Sequence, residues 1–308
     1  MKKIIASVLA LVSALALTGC TDDEISSSVP TEIIVSEPVE SEESVVSYFP
    51  VTVCGVELSA APKRVVSLSP AVTEILFEQG YGDTLCGRSD YCNYPETVAV
   101  LDAMGSTENP ALDGIVSLKP DVVFTLSALS ERDVYSLTTA GITVVQLDYP
   151  ESMEEYSYLY RDIAAVYLGN EPTTGEKQTE KAIATGNSAR TSLEGSAVTL
   201  GSFVYVTGKG TIAGATTFEN AVLSLCGENL CVSEGYCATE VCAEIMPQYV
   251  VADDSLTDTQ LYADENIASM LYGGAKLVRV SSEHFERPSA RTSLVFEEIT
   301  GQLSEQTE

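Results

Sequence analysis

The stretch Arg64-Val65-Val66-Ser67-Leu68-Ser69-Pro70-Ala71-Val72-Thr73-Glu74 decides the fold. Its first five residues are rich in apolar and β-branched side chains and predict a short buried strand. This run ends in Ser69-Pro70, and a helix is predicted from Val72 to Gln79, where Gly80 ends it. A strand followed directly by a helix is the unit that builds a parallel α/β sheet.

The same alternation continues along the chain in two blocks. The first block predicts a hairpin at 51–58, strands at 122–124 and 142–147, and helices at 115–119 and 131–140. The second block predicts strands at 203–206, 249–252 and 277–280, and helices at 218–226, 239–246, 267–272 and 288–303. Helices at 153–168 and 176–193 separate the two blocks. We therefore expect an α/β protein with two lobes and a cleft between them.

An internal echo supports two related lobes. Leu85-Cys86 is followed after four residues by Tyr91-Cys92, and Leu230-Cys231 is followed at the same spacing by Tyr236-Cys237. We interpret this echo as a pseudo-repeat, which would place Tyr236 opposite Tyr91.

The N-terminus has the layout of an export signal. Lys2 and Lys3 precede an apolar run from residue 4 to 17, which is too short to be interpreted first as a membrane-spanning helix. Leu17-Thr18-Gly19-Cys20 resembles a bacterial lipobox, which implies cleavage before Cys20 and lipid on its thiol. The alternative is an ordinary signal peptide. The serine-rich, acidic segment that follows predicts a disordered stalk.

Composition excludes several classes of function. A formal net charge of −29 disfavours binding to nucleic acid. The chain has one histidine, His284, and contains no Gly-x-Ser-x-Gly sequence and no phosphate-binding loop, so a surface-anchored hydrolase is unsupported. Gly208-Lys209-Gly210 is interpreted as a turn. The prediction is that the protein is not an enzyme.

The cysteines predict disulfides, because eight of them suit an exported chain. With Cys20 lipidated, the two Leu-Cys…Tyr-Cys loops predict the bridges Cys86–Cys92 and Cys231–Cys237. A remaining pair could be Cys226–Cys242, which would leave Cys54 unpaired. Connectivity stays open at this point. Thiolate binding of a metal is the alternative, although no Cys-x-x-Cys sequence is present.

Several segments, taken together in order, resemble one family. They are Arg64–Ala71 with Thr73-Glu74, Gly87–Tyr91, Tyr94-Pro95, Ser117–Asp121, Phe218–Leu223, Cys226–Asn229 and His284–Arg291. The pattern covers roughly residues 62–303 and is similar to class III periplasmic binding proteins, the metal-chelate receptors of ABC importers, with cobalamin receptors closest. The resemblance implies two α/β lobes (parallel central sheets flanked by helices) joined by a single rigid backbone helix.

The domain boundaries follow from the pattern and the resemblance together. We expect a lipoprotein signal peptide at 1–19, an acidic linker at 20–48, an N-terminal lobe at 49–170, a connecting helix at 171–195, a C-terminal lobe at 196–303 and a tail at 304–308. The mature protein would be a monomer anchored to the outer face of the cell membrane. A Gram-positive cell is our hypothesis, because it has no outer membrane to retain a soluble receptor.

The resemblance also implies the ligand site. The residues carried over, or implied by the internal echo, are Ser69, Pro70, Ala71, Tyr91, Thr107, Tyr236, Glu283, His284 and Arg287. Tyr91 matches a tyrosine that stacks on the corrin ring, and a flat macrocycle suits aromatic walls. Each residue also has a plainer interpretation. Tyr91 could pack on its disulfide, His284 could cap the last helix, and Arg287 could pair with Glu283.

The chain departs from the family pattern, and this leaves the ligand open. It has no tryptophan, and Thr107 and His284 stand at two positions where the cobalamin receptor has one. A cobalamin-type corrinoid is the main expectation, and haem or a ferric siderophore is the alternative. Haem would make His284 or Tyr91 a candidate iron ligand. No resident cofactor or protein-bound metal is expected. A free-metal receptor would need more histidines.

The resemblance implies partners as well. One carboxylate on each lobe of the family docks on the permease, and the matching residues are Asp113 and Glu240, each at the start of a predicted helix. Such acids also suit the helix dipole, which is the alternative explanation. The partners would be the permease and ATPase subunits of an ABC importer.

Overall fold

The structure is a computed structural model that describes residues 48–169 and 176–305, with backbone only for 176–179. The predicted signal peptide, Cys20 and nearly all of the predicted linker lie outside these residues. The described residues belong to one compact unit. In the described part of the chain, no helix is long and apolar enough to cross a bilayer.

The first lobe is a four-stranded parallel sheet with helices on both faces. A hairpin precedes it, formed by β1 (Val51–Val53) and β2 (Val56–Leu58). The sheet strands are β3 (Val65–Ser67), β4 (Leu85–Arg88), β5 (Val122–Thr125) and β6 (Thr143–Gln146), in the order β4-β3-β5-β6. The helices are α1 (Pro70–Glu78), α2 (Leu112–Leu118), α3 (Glu131–Thr139) and α4 (Met153–Leu168). The strand–helix unit predicted from residues 64–74 is confirmed.

The second lobe is a mixed sheet. It follows the helix α5 (Glu176–Gly195). Its strands are β7 (Gly201–Val206), β8 (Ile212–Ala213), β9 (Gly227–Asn229), β10 (Tyr236–Cys237), β11 (Tyr249–Asp253) and β12 (Lys276–Val280). β9, β7, β11 and β12 are parallel, and β8 and β10 add an antiparallel edge. Its helices are α6 (Phe218–Leu223), α7 (Asp258–Ala263), α8 (Glu265–Tyr272), α9 (Glu283–Glu286) and α10 (Leu294–Glu305).

One apolar core is shared by both lobes. Neighbouring residues of a strand point to opposite faces of the sheet. One face of the first sheet, which carries Val65 and Phe124, packs in the same core as Tyr205 and Val278 of the second sheet, together with Phe296 from α10. The opposite faces carry separate cores under α2 and α3 in one lobe and under α7 and α8 in the other. The lobes are thus packed together and not merely tethered.

The helix α5 packs closely along α4, and a glycine makes this possible. A Cβ built on Gly186 would lie 2.1 Å from the backbone oxygen of Ser157 on α4. A glycine inside a helix normally weakens it, but here the missing side chain of Gly186 allows the two helices to pack closely. The domain boundaries predicted around this helix stay predictions.

Replacing Gly186 by alanine should separate the two helices. We expect a loss of about 2 kcal/mol of unfolding free energy, because the clash outweighs the better helix propensity of alanine. Urea unfolding measures it. Gly195→Ala is the matched control, since it lies in the same helix with no atom within 4 Å of the new Cβ. If both variants were as stable as the wild type, the close approach would have no energetic role.

Some sequence predictions need correction. The helix predicted at 239–246 is only a 3₁₀ turn, Thr239–Cys242, and the last helix starts at Leu294 after a 3₁₀ turn over Ala290–Ser293. The two segments of the supposed repeat also differ. Leu85–Arg88 is a parallel edge strand and Tyr91 lies in a turn, whereas Leu230-Cys231 lie outside any strand and Tyr236–Cys237 is an antiparallel edge strand, so the segments are not equivalent.

The predicted disulfides are not formed in this structure, in which all seven described cysteines are free thiols. The Cys86 thiol donates to the Val65 carbonyl (3.3 Å), whereas Cys92 lies 3.2 Å from the Thr73 hydroxyl on α1, and the two sulfurs lie in different environments. Cys237 donates to the Glu234 carbonyl (3.3 Å) and does not bond Cys231. The suggested pair Cys226–Cys242 is split between cores on opposite faces of the second sheet.

Candidate functional site

Two adjoining cavities lie where strands of both lobes end. The first, of about 480 Å³, has Ser69 and Tyr91 in its wall, and the second, of about 610 Å³, has Tyr205 and Tyr236. Tyr149 and Glu286 line both, and we call the combined space the cleft. Carboxyl ends of parallel strands are the usual ligand position in α/β proteins. Another cavity, of about 600 Å³, lies along α5 and is lined mainly by small side chains of α4 and α5.

Most of the predicted ligand residues reach the cleft. Those in its wall are Ser69, Pro70, Tyr91, Thr107, Tyr236 and Arg287. Ser69 is held by its cap role at α1, where its hydroxyl accepts from the Val72 N–H. Ala71 is 1% exposed and belongs to the core, because the first turn of α1 directs it inward. Tyr91 and Tyr236 line different cavities, and both rings are largely exposed.

Arg287 is committed to protein partners. Its guanidinium donates to the side-chain oxygen of Asn93 (2.5 Å) and to the Tyr91 carbonyl (3.3 Å). It also lies 3.5 Å from Glu283 and 3.9 Å from Glu74. Arg287 therefore ties the loop that carries Tyr91 to the C-terminal lobe, and Glu283 is its exposed partner at the edge.

His284 lies behind the cleft wall. Its side chain is buried, and its Nδ1 lies 3.3 Å from a carboxylate oxygen of Glu298 on α10. Burial of Glu298 opposes ionisation, but the close His284 side chain and the hydrogen bond from the Ser281 N–H outweigh it and lower the pKa of the carboxyl. This pairing joins α9 to α10, so His284 has a packing role and is absent from both cavity walls.

Tyrosines and carboxylates dominate the second cavity. The Tyr236 hydroxyl donates to both carboxylate oxygens of Glu219, at 2.9 and 3.0 Å. Glu219 is held in the first turn of α6, after the cap residue Thr217. Burial raises the pKa of Glu219 and also raises the pKa of Tyr236. The Tyr149 hydroxyl donates to the Phe285 carbonyl (2.5 Å), and burial raises its pKa well above the usual value.

The cleft therefore has an acidic lining. Its carboxylates are Glu108, Glu219 and Glu286, and its cationic side chains are Lys209 and Arg287. Burial, and then Asp253, raise the pKa of Glu286. Among the described residues, no group of three histidine, cysteine or acidic side chains could hold a metal. Such a lining suits a ligand that offers hydrogen-bond donors and flat apolar surface.

Sequence reasoning missed several cleft residues. Tyr149, Thr207 and Ser255 follow closely after β6, β7 and β11. The rule that ligands lie beyond strand ends could have found all three, had it been applied to strands other than the first. Lys209 does lie in a turn, as predicted, but that turn forms part of the cavity wall.

The raised pKa of Glu219 predicts a pH effect on stability. Because the folded state holds this proton more tightly than the unfolded state, the stability it contributes is present at low pH and lost as pH rises through the folded-state pKa. We expect Glu219→Gln to match the wild type at pH 4 and to be more stable than it at pH 7. Urea unfolding at both pH values measures this.

The exposed residue Glu228 supplies the control for that experiment, because Glu228→Gln removes the same charge from the surface of β9. A Glu219→Gln effect of equal size at pH 4 and pH 7 would contradict the assignment.

Comparison with known proteins finds one family model and several relatives that are similar to this chain. Residues 65–218 match a family model described as periplasmic binding protein. A vitamin B12-binding protein of Salmonella choleraesuis is 38% identical over 109 residues, which is 35% of this chain and 40% of that protein. An uncharacterised ABC transporter substrate-binding lipoprotein of Bacillus subtilis is 32% identical over 127 residues, 38% of this chain and 39% of that protein. The chain thus spans well under two thirds of these relatives.

A solved structure extends the likeness over the fold. The periplasmic haem-binding protein of Vibrio cholerae matches with a TM-score of 0.63 at 16% identity, covering 78% of this chain and 98% of that one. At this identity the match is a likeness of fold alone.

Proposed function

Because this chain belongs to the periplasmic binding protein family, we propose that it is the solute-binding component of an ABC importer and that its solute is a cobalamin-type corrinoid. The observation that carries the choice of ligand is the acidic, tyrosine-lined cleft between the lobes. The protein would capture the corrinoid outside the cytoplasm and deliver it to the permease, with no covalent chemistry of its own.

The transport role is supported by the relatives. The lipoprotein of Bacillus subtilis is named as an ABC transporter component, and the lipobox-like Leu17-Thr18-Gly19-Cys20 fits the same anchoring. We propose that the mature chain is held on the outer face of the membrane by lipid on Cys20 and works as a monomer beside its permease and ATPase partners.

The charge of the cleft favours a corrinoid over haem. A corrinoid carries peripheral carboxamides, whose N–H groups can donate to Glu219 and Glu286. Haem carries two propionates, which would face these carboxylates while Arg287 is already bonded to protein. Like charges in a partly closed cavity weaken binding, so the lining selects against a dianionic ligand.

Iron ligation gives a second reason. A haem receptor needs a histidine or a tyrosinate at the iron. Of the two predicted iron ligands, His284 is paired with Glu298 behind the wall, so Tyr91 alone of that pair lines the cleft. Haem or a ferric siderophore remains the alternative ligand class of the same fold.

A titration in parallel tests the proposal. Cyanocobalamin, haemin and a ferric hydroxamate are added to the purified chain and followed by calorimetry and visible absorption. We expect one-to-one binding of cyanocobalamin and no shift of the haemin Soret band. A shifted Soret band would identify haem, and not the corrinoid, as the ligand. If none of the three compounds bound, the proposal that the ligand is a metal chelate would be wrong.

The predicted docking residues permit a separate prediction. Asp113 is exposed in the first turn of α2, and Glu240 is exposed in the 3₁₀ turn at 239–242. Charge reversal in Asp113→Arg/Glu240→Arg should reduce corrinoid uptake by cells about tenfold while leaving the affinity of the purified chain unchanged. Glu131→Arg, at the exposed start of α3, is the matched control for a helix-dipole effect. Equal uptake by all three proteins would contradict docking.

A further inference from the structure

Two buried thiols of the second lobe lie against each other. Cys231 and Cys242 are 3% and 0% exposed and belong to the same apolar core. Their side chains hydrogen bond to each other, and burial followed by this neighbour raises the pKa of Cys242 to about 12. The pair is thus held as thiols in a pocket that offers these sulfurs no charged partner.

Both thiols are held in place from outside the pair. The Cys231 N–H donates to the side-chain oxygen of Asn229 (3.0 Å), and the Asn229 amide donates to the Ala213 carbonyl (3.0 Å). On the other side, the Thr239 hydroxyl donates to Asp264 (2.7 Å), which anchors the 3₁₀ turn that carries Cys242. The backbone that carries each thiol is therefore anchored by hydrogen bonds outside the pair.

We propose that Cys231 and Cys242 are the site of a disulfide bond in this protein. Each thiol loses a proton, the pair gives two electrons to a disulfide oxidant, an S–S bond forms between the two cysteines, and the oxidant's own S–S bond is reduced to two thiols. The oxidant belongs to the class of protein or small-molecule disulfides that act on exported chains. This connectivity differs from Cys231–Cys237, which the sequence spacing predicts.

The bond closes a loop that carries functional surface. Residues 231–242 contain Tyr236, whose ring lines the cleft, and Glu240, the predicted docking residue. Cross-linking the ends of this segment limits its freedom in the unfolded chain and fixes both surfaces on one frame. Neither the corrinoid proposal nor the docking proposal is needed for the bond to form.

Mapping the oxidised full chain tests the proposal. The chain is reduced, then treated with oxidised glutathione or left reduced, blocked with iodoacetamide and digested with a protease that cleaves after glutamate. The cuts after Glu228, Glu234, Glu240 and Glu244 place Cys231, Cys237 and Cys242 in three different peptides. We expect a cross-link between peptides 229–234 and 241–244, with Cys237 alkylated.

Thermal unfolding supplies the second readout. The disulfide should raise the melting temperature of the oxidised chain about 5 °C above that of the reduced chain. The shift is modest because the bond closes a short loop, which restricts the unfolded chain less than a long loop would. Cys237→Ser should keep both the cross-link and the shift, and Cys242→Ser should lose both. Three results would overturn the proposal: a cross-link to peptide 235–240, full alkylation of Cys231 and Cys242 after oxidation, or equal melting temperatures of the oxidised and reduced chains. The comparison of the oxidised and reduced wild type does not require any variant to fold.

Discussion

Replacing Glu74 by glutamine lowers the free energy of unfolding by about 3 kcal/mol, because it removes the charge from a buried ionic cluster. Glu74 lies on α1 of the first lobe and is 1% exposed. It accepts from the Ser289 hydroxyl (2.6 Å) and from the Arg291 guanidinium (3.1 Å), both of which belong to the second lobe. Arg287 lies 3.9 Å away. Glutamine removes the carboxylate that pairs with the Arg291 guanidinium.

Urea unfolding measures the loss, and the pair Arg190–Glu194 supplies the control. Those two side chains form an exposed i,i+4 pair on α5 at 2.6 Å. Such surface pairs contribute about 0.5 kcal/mol, so Glu194→Gln should be nearly silent. If Glu74→Gln and Glu194→Gln had the same free energy of unfolding, the buried cluster would not stabilise the contact between the lobes. An unchanged circular dichroism spectrum of the folded variant would show that the comparison concerns stability alone.

Replacing Tyr149 by alanine lowers the affinity for cyanocobalamin about 100-fold, if the cleft is the corrinoid site. Tyr149 is shared by both cavities, and its ring meets Phe218 edge-on with the centroids 6.0 Å apart. Its hydroxyl is fixed on the Phe285 carbonyl. Such a fixed ring offers a stacking surface at little entropic cost, which is the property of side chains that dominate a binding site.

Two further variants test whether the Tyr149 ring itself binds the ligand. Tyr149→Phe keeps the ring and loses only the hydrogen bond to Phe285, so its affinity should stay within about fivefold of wild type. Tyr135→Ala removes an exposed ring from α3, outside the cleft, and should bind normally. Calorimetric titration with cyanocobalamin measures the affinity of the three variants. Normal binding by Tyr149→Ala would place the ligand elsewhere on the molecule.

The sequence predicts the lobes well because local patterns determine them. The hairpin at 51–58 and the strand–helix unit at 64–79 follow from alternation, a Ser-Pro cap and a glycine stop, which are all properties of neighbouring residues. The helix predicted at 239–246 is only a short turn that ends at Cys242, and its first residue, Thr239, bonds to Asp264, a contact distant in sequence that a local pattern could not reveal.

The candidate site depends more on long-range contacts. Ser69 and Pro70 could be placed because they end a strand, whereas His284 could not, since its burial depends on Glu298 across the α9–α10 turn. The spacing of the cysteines did not predict which thiols lie together, for the same reason. Cys231 meets Cys242 because two separate elements converge, and spacing along the chain carries no information about which face a sulfur points to.

The core that the two lobes share sets the order in which the chain can fold. Val72 on α1 and Phe296 on α10 are packed in the same cluster, although nearly the whole described chain lies between them. Closing so long a loop costs chain entropy before any contact compensates for it, and distant contacts of this kind slow folding. During synthesis, this shared core stays incomplete until the last helix has been made. We therefore expect the growing chain to remain unfolded for long enough to be threaded across a membrane, and to fold in a single late step on the far side.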